Sequence, residues 1–185
     1  MSVPEIHTAR LRLTVLSARD GALLYRYVNN NRAHLAPWEP QRDEAYYTLS
    51  ACEDRLFVGY QHWLRGDALP WVALHPETGE MVASCHASQI SRGAFQACYL
   101  GYSIAAEYQG QGLMREVVAG CIDYLFTELR LHRVMANYMP HNHRSARLLT
   151  ALQFEREGYA RQYLQIAGQW QDHVLTARIN PYSSG

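Results

Sequence analysis

The chain has 185 residues, 48% of them hydrophobic, which is enough to bury one enzyme-sized core without disulfide or metal staples. Lys+Arg and Asp+Glu balance at 17 each and no basic run breaks the mixture, so the charge pattern does not support a nucleic-acid surface. All 17 cations are arginine, and without lysine there is no P-loop, no Schiff-base chemistry and no Ser-x-x-Lys acyl transfer.

Read in chain order, Arg10 to Leu16 alternates apolar and charged residues as a half-buried strand does. Ser17 then caps a helical pattern carrying Leu23, Leu24, Tyr27 and Val28. Pro37-Trp-Glu-Pro40 breaks the chain, and a second helical stretch runs from about Glu44 to Leu64. Trp71 to Leu74, Met81 to Ile90 and Phe95 to Ile104 read as strands, joined by turns at Pro76-Glu-Thr-Gly79 and Ser91-Arg-Gly93. Next comes a helix on which Met114, Val117, Val118, Cys121, Ile122, Leu125, Phe126 and Leu129 repeat at three- and four-residue steps. Glu116 in its first turn and Arg130 in its last both suit the macrodipole. A strand over Arg133 to Tyr138, a helix from Asn142 to Leu152 and two strands split at Ala167-Gly168 complete the order. No linker or repeat interrupts it. The expectation is a single α/β domain over residues 1–185, a mixed central sheet flanked by helices.

Cys52, Cys85, Cys98 and Cys121 lack Cys-x-x-Cys spacing and read as small buried residues in a reducing environment. No secretory leader is evident and no stretch approaches the roughly 18 apolar residues of a membrane span, so a cytoplasmic protein without membrane contact is expected. His141-x-His143 has no further ligands at metal spacing, so no metal is expected.

The segment Tyr108-Gln-Gly-Gln-Gly-Leu-Met114 stands between a strand and the start of a long helix. Glycine lets the backbone approach an anion, and the first N–H groups of the helix point at it. An ordinary strand-to-helix turn is the plain alternative. A dinucleotide fingerprint fails, because Arg115 occupies the position of its third glycine. What remains is a diphosphate held by the backbone around Gln109, Gly110, Gln111, Gly112, Leu113 and Met114. The second informative site is Met139-Pro-His-Asn-His-Arg-Ser145. Asn142 is an N-cap candidate with Ser145 at N3, a purely structural role worth about 1 kcal/mol.

Glu107-Tyr-Gln-Gly-Gln-Gly112 resembles the acyl-CoA pyrophosphate loop of the GCN5-related N-acetyltransferases (GNAT), with Glu107 where Gln or Arg is usual. The blocks His34–Glu44, Ala97–Ile104, His132–His141 and Gly168–Ala177 look like the branch of that family that acetylates ribosomal proteins. The resemblance implies acetyl-CoA as co-substrate and the N-terminus of a ribosomal protein, Ala preferred, as acceptor. It implies that Asn142 contacts the pantetheine and that Ser145 gives a proton to the departing thiolate, since Leu149 stands where a donor tyrosine is common. Gln153 replaces the usual helix-ending glycine. The strand at Ser103 and Ile104 would polarise the thioester carbonyl with its backbone N–H groups.

An α-amino group has a pKa of about 8 against about 10.4 for lysine, so its neutral form costs roughly 3 kcal/mol less and a modest base suffices. Glu39, on the rigid Pro37–Pro40 loop, is one candidate base; Asp43, Glu44 and Asp172 are others, and each also reads as an ordinary structural acid. Trp38, Tyr46, Tyr47 and Trp63 are candidates for the wall of an acceptor slot or for core. A small-amine acetyltransferase and a non-catalytic acyl-CoA-binding ribosome-assembly factor are the alternative functions. Monomer and homodimer are both compatible with the pattern.

Overall fold

The computed structural model describes residues 3–182; the first two and last three residues lie outside the described residues. Its elements in chain order are β1 (Glu5–His7), β2 (Arg12–Val15), α1 (Gly21–Asn30), α2 (Arg32–Leu35), α3 (Leu49–Arg65), β3 (Leu69–Leu74), β4 (Met81–Ser91), β5 (Ala97–Ile104), α4 (Leu113–Thr127), β6 (Arg133–Tyr138), α5 (His143–Ala151), β7 (Glu155–Ile166) and β8 (Gln169–Ile179). The strands form one sheet in the order β1-β2-β3-β4-β5-β6-β8-β7. Every neighbouring pair is antiparallel except β5–β6. A parallel pair needs a crossover connection, and α4 supplies it.

The patterning explains both layers. On one face Cys85 and Ala87 of β4, Cys98 and Leu100 of β5 and Val134 and Ala136 of β6 pack with Val117, Val118, Cys121 and Leu125 of α4. Each Val or Leu among them contributes about 1.5–3 kcal/mol by leaving water. On the other face Tyr27 and Val28 of α1 and Cys52 of α3 close over Val72, Leu74 and Met81. The four cysteines are buried free thiols, and burial pushes Cys98 up to about 12. They are inert packing atoms.

Several details differ from the sequence expectation. The edge strand β1, only three residues long, is added by pairing with β2, too short to leave a periodic signature. Helix α4 ends at Thr127, so Arg130 is not in its last turn but lies beyond it with φ 52. The helix expected over Glu44–Leu64 is a 3-10 turn at Glu44–Tyr47 followed by α3, restarted by Thr48, whose hydroxyl accepts from the Ala51 N–H. Ser17 precedes a 3-10 turn, and the Asp20 carboxylate accepts from its N–H at 2.8 Å. Gln153 does end α5 in the left-handed region, at φ 62.

Candidate active site

The site begins where the sheet splits. β5 pairs with β6 over three residues only, Ala97↔Arg133 to Tyr99↔Met135. Beyond that point β5 stays with β4 as far as Ala83↔Ile104, and β6 stays with β8 as far as Tyr138↔Val174. The Ala105 N–H donates to the Val82 carbonyl at 2.9 Å. Bonded and unbonded residues alternate in an antiparallel ladder, so the backbone groups of Tyr102 and Ile104 face the split, whereas those of Ser103, expected to help polarise the thioester, turn toward Ser84 of β4. Consistently, His34 Nε2 lies 3.2 Å from the Ile104 carbonyl oxygen. A set of strand N–H groups is thereby left facing open space inside a sheet.

Two helix starts converge on this split. Gly112 is the N-cap of α4 in the left-handed region, φ 76, and supplies no capping side chain. The first-turn N–H groups of Leu113, Met114 and Arg115 are therefore not satisfied by a cap. Gly110 has φ 75, and a Cβ there would meet nothing within 4 Å. Arg10 stiffens the loop from outside, bonding Glu116 Oε2 at 2.8 Å and the Gln111 carbonyl at 2.9 Å. Asn142 caps α5, its Oδ1 accepting from the Ser145 N–H at 3.0 Å. Between the two helix starts lies a cleft of about 850 Å³.

The lining of that cleft is one-sided in charge. Arg115, Arg144 and Arg147 contribute guanidinium groups, His141 and His143 imidazoles, and no carboxylate lines it among the described residues. In a chain of zero formal net charge, such segregation together with two positive helix ends defines a seat for a polyanion. A bridge crosses the cleft: Arg144 Nη1 donates to Gln109 Oε1 at 2.5 Å, and Gln109 Nε2 lies 3.1 Å from His34 Nε2. Trp38 and His141 face each other across it with ring centroids 5.7 Å apart. The three arginines escaped the sequence reading. Arg144 and Arg147 stand three apart on one helix face, which is the signal that was available.

Ser103, Ile104, Gln109, Gly110, Gly112, Leu113, Met114, Asn142 and Ser145 all line the cleft. Gln111 does not; its side chain turns back to the Glu107 carbonyl. The Ser145 hydroxyl lies 2.6 Å from the Tyr102 hydroxyl, a partner that no local motif announced. Burial pushes the Tyr102 phenol far above its ordinary value, against the lowering effect of Ser145, so it stays a neutral hydrogen-bonding group. Leu149 is fully buried.

Glu39 stands off the cleft wall, half-buried, with its carbonyl accepting from the Ala167 N–H of the β7–β8 turn. Burial raises its carboxyl above the ordinary value, opposed by Arg42 and Arg55. The rival acids have structural partners. Asp43 accepts from the Tyr46 N–H, Glu44 pairs with Arg32, and Asp172 accepts from the Tyr159 hydroxyl and the Gln162 N–H. Of the aromatic residues, Trp38 lines the cleft and Trp63 is core. Tyr46 lies under Arg42 and Arg55, and Tyr47 under Arg32. His141 and His143 belong to the lining; no cluster of three or more potential metal ligands occurs among the described residues.

The comparisons with known proteins agree with this geometry. Residues 10–155 match the acetyltransferase (GNAT) domain family. The chain is 44% identical over 182 residues to the ribosomal protein uS5-alanine N-acetyltransferase of Escherichia coli, covering 97% of this chain and 94% of that one. The structure superimposes on a ribosomal-protein-S5-alanine acetyltransferase from Vibrio fischeri with TM-score 0.93 at 36% identity, covering 98% and 100% of the two chains. A second neighbour is the Mycobacterium smegmatis RimJ in complex with CoA-disulfide, TM-score 0.88 at 27% identity, covering 96% and 86%. The chain belongs to the GNAT family. It is an acetyl-CoA-dependent N-acetyltransferase, a single mixed sheet with flanking helices.

The residues present fit the co-substrate. A diphosphate needs close backbone approach and positive surroundings, and the open space at Gly110, the uncapped start of α4 and the acid-free lining meet those needs. No helix among the described residues is long and apolar enough to cross a membrane.

Proposed function

We propose that this enzyme acetylates the free N-terminal amine of a ribosomal protein, preferably one beginning with alanine, and does so in the cytoplasm. The observation that carries the proposal is the 44% identity over 97% of the chain to the E. coli uS5-alanine enzyme. The acid-free cleft supports the donor half of the reading. Acetyl-CoA supplies the activated acetyl group when bound. The backbone of Gln109 to Met114 holds its diphosphate, and Asn142 contacts the pantetheine arm. N–H groups of β5 at Tyr102 and Ile104 polarise the acetyl carbonyl. Attack by the neutral amine forms the C–N bond as the C–S bond breaks, and Ser145 Oγ, supported by Tyr102, gives its proton to the leaving sulfur. Glu39, whose raised carboxyl is a better base than an ordinary glutamate, takes the amine proton directly or through water.

Two peptides read by mass spectrometry test the acceptor. One carries a free N-terminal Ala and no lysine; the other is N-terminally blocked and rich in lysine. Acetyl transfer is expected on the first alone, weakening as pH falls below the α-amine pKa of about 8. Equal modification of the blocked peptide, or turnover of small amines only, refutes the proposal.

A further inference from the structure

Gly101 lies inside β5, a central strand of the eight-stranded sheet, and pairs regularly with His86 of β4. A glycine inside a strand weakens it relative to alanine and calls for a physical reason. Three usual reasons fail. Gly101 is not among the glycines with left-handed backbone. The register shift between β4 and β5 falls at Ser88/Ser91, away from it. A Cβ at Gly101 would meet nothing within 4 Å, so packing does not demand its absence. What its missing side chain leaves is room above the strand, and the residue is exposed.

The location gives that room a use. Side chains alternate along a strand; Leu100 and Tyr102 face α4 and α5, so Tyr99, Gly101 and Ser103 face the opposite side. There Ser103 bonds the Tyr27 hydroxyl at 2.8 Å and the Ser84 hydroxyl at 2.9 Å. Across the split, Asn137 of β6 lies within 3.5 Å of the Tyr163 hydroxyl of β7. The β5–β6 pairing ends at Tyr99, two residues before Gly101. A group lying over Gly101 therefore stands beside the opening that leads to the coenzyme cleft. Its surroundings are hydroxyls, an amide and the His86 imidazole, with one carboxylate rather than a converging set, that of Glu39, near enough to act on the Tyr27 hydroxyl. A polyamine calls for converging carboxylates, whereas an extended polypeptide calls for neutral hydrogen-bonding partners and close backbone approach.

We infer that Gly101 is a specificity-determining residue: the space above it seats the first residues of an extended polypeptide acceptor, whose amine reaches the donor through the β5–β6 split. The inference rests on the acceptor reading given above and adds the site that enforces it. Gly101→Val and Gly101→Ala in the full chain test it, with acetyl-CoA and the Ala-starting peptide as substrates. Thermal stability should hold or rise, because a β-branched residue favours a strand, and CoA affinity by calorimetry should not change. The KM for the peptide should rise at least about tenfold for Val and less for Ala, with kcat moving less, as expected when uniform binding is lost. A folded Gly101→Val variant with unchanged peptide KM, or one that loses CoA affinity in parallel, overturns the inference. Should the Val variant not accumulate, an unchanged peptide KM in Gly101→Ala overturns it equally. A wild-type enzyme that ignores the peptide instead refutes the acceptor reading itself.

Discussion

The pairing of Ser145 with Tyr102 makes the proton-donor role separable from the helix-start role. The cap bond of α5 runs from the Ser145 N–H to Asn142 Oδ1, and Ser145→Ala leaves both atoms in place. The structural loss is then confined to the 2.6 Å contact with the Tyr102 hydroxyl. Leaving that largely buried phenol with one partner fewer costs about 1–3 kcal/mol, and removing it too in Ser145→Ala/Tyr102→Phe returns part of the loss. Proton donation to a leaving thiolate acts only in the transition state and is worth about 10²–10⁴-fold, roughly 3–5 kcal/mol. Ser145→Ala should therefore lower kcat by at least about 100-fold with little change in acetyl-CoA KM. Tyr102→Phe, which removes the support and keeps Ser145, should lower kcat by about tenfold. Stopped-assay detection of released thiol gives the rates and thermal melts give the stabilities. A Ser145→Ala enzyme that melts earlier yet turns over at the wild-type rate refutes the donor role, and additive rate effects in the double mutant refute the pairing.

Gly112→Val places a β-branched residue at φ 76, costing about 1–2 kcal/mol and a few degrees of Tm. It should weaken CoA binding by at least about tenfold, and unchanged affinity by calorimetry counts against the loop. Asn142→Ala should remove about 1 kcal/mol through the lost cap and raise the acetyl-CoA KM. Glu39 is held above its ordinary carboxyl value by burial, so the folded state binds its proton more tightly than the unfolded chain does. That contribution is complete below the unfolded value and is lost as pH rises through the folded one. Glu39→Gln should thus melt higher than wild type at pH 7.5, with the gap closing near pH 4, while kcat falls; an unaltered kcat excludes Glu39 as base. Gln153→Gly relieves a left-handed residue and should raise Tm by a few degrees, checked by calorimetric melting.

Apart from the short β1 and α2, the sequence by itself determined the element order, the glycine turn and the two helix starts. These are local properties: three- and four-residue repeats mark α4, Gly110 and Gly112 take φ values open to glycine, and Asn142 caps α5 through a bond three residues long. Tertiary structure alone decided what those pieces face. The split between β5 and β6 arises because each strand keeps a different partner beyond Tyr99 and Met135, and no periodicity records which of two neighbours a strand abandons. Likewise Tyr102 and Ser145 are 43 residues apart in the chain, and Arg115, Arg144 and Arg147 gather around one cleft from two helices. Glu39, legible as a loop acid, is given its raised carboxyl by burial among distant segments. Local chemistry is written in neighbouring residues, whereas a site's charge, its hydrogen-bond partners and the room over Gly101 depend on chain segments that meet only when the sheet closes.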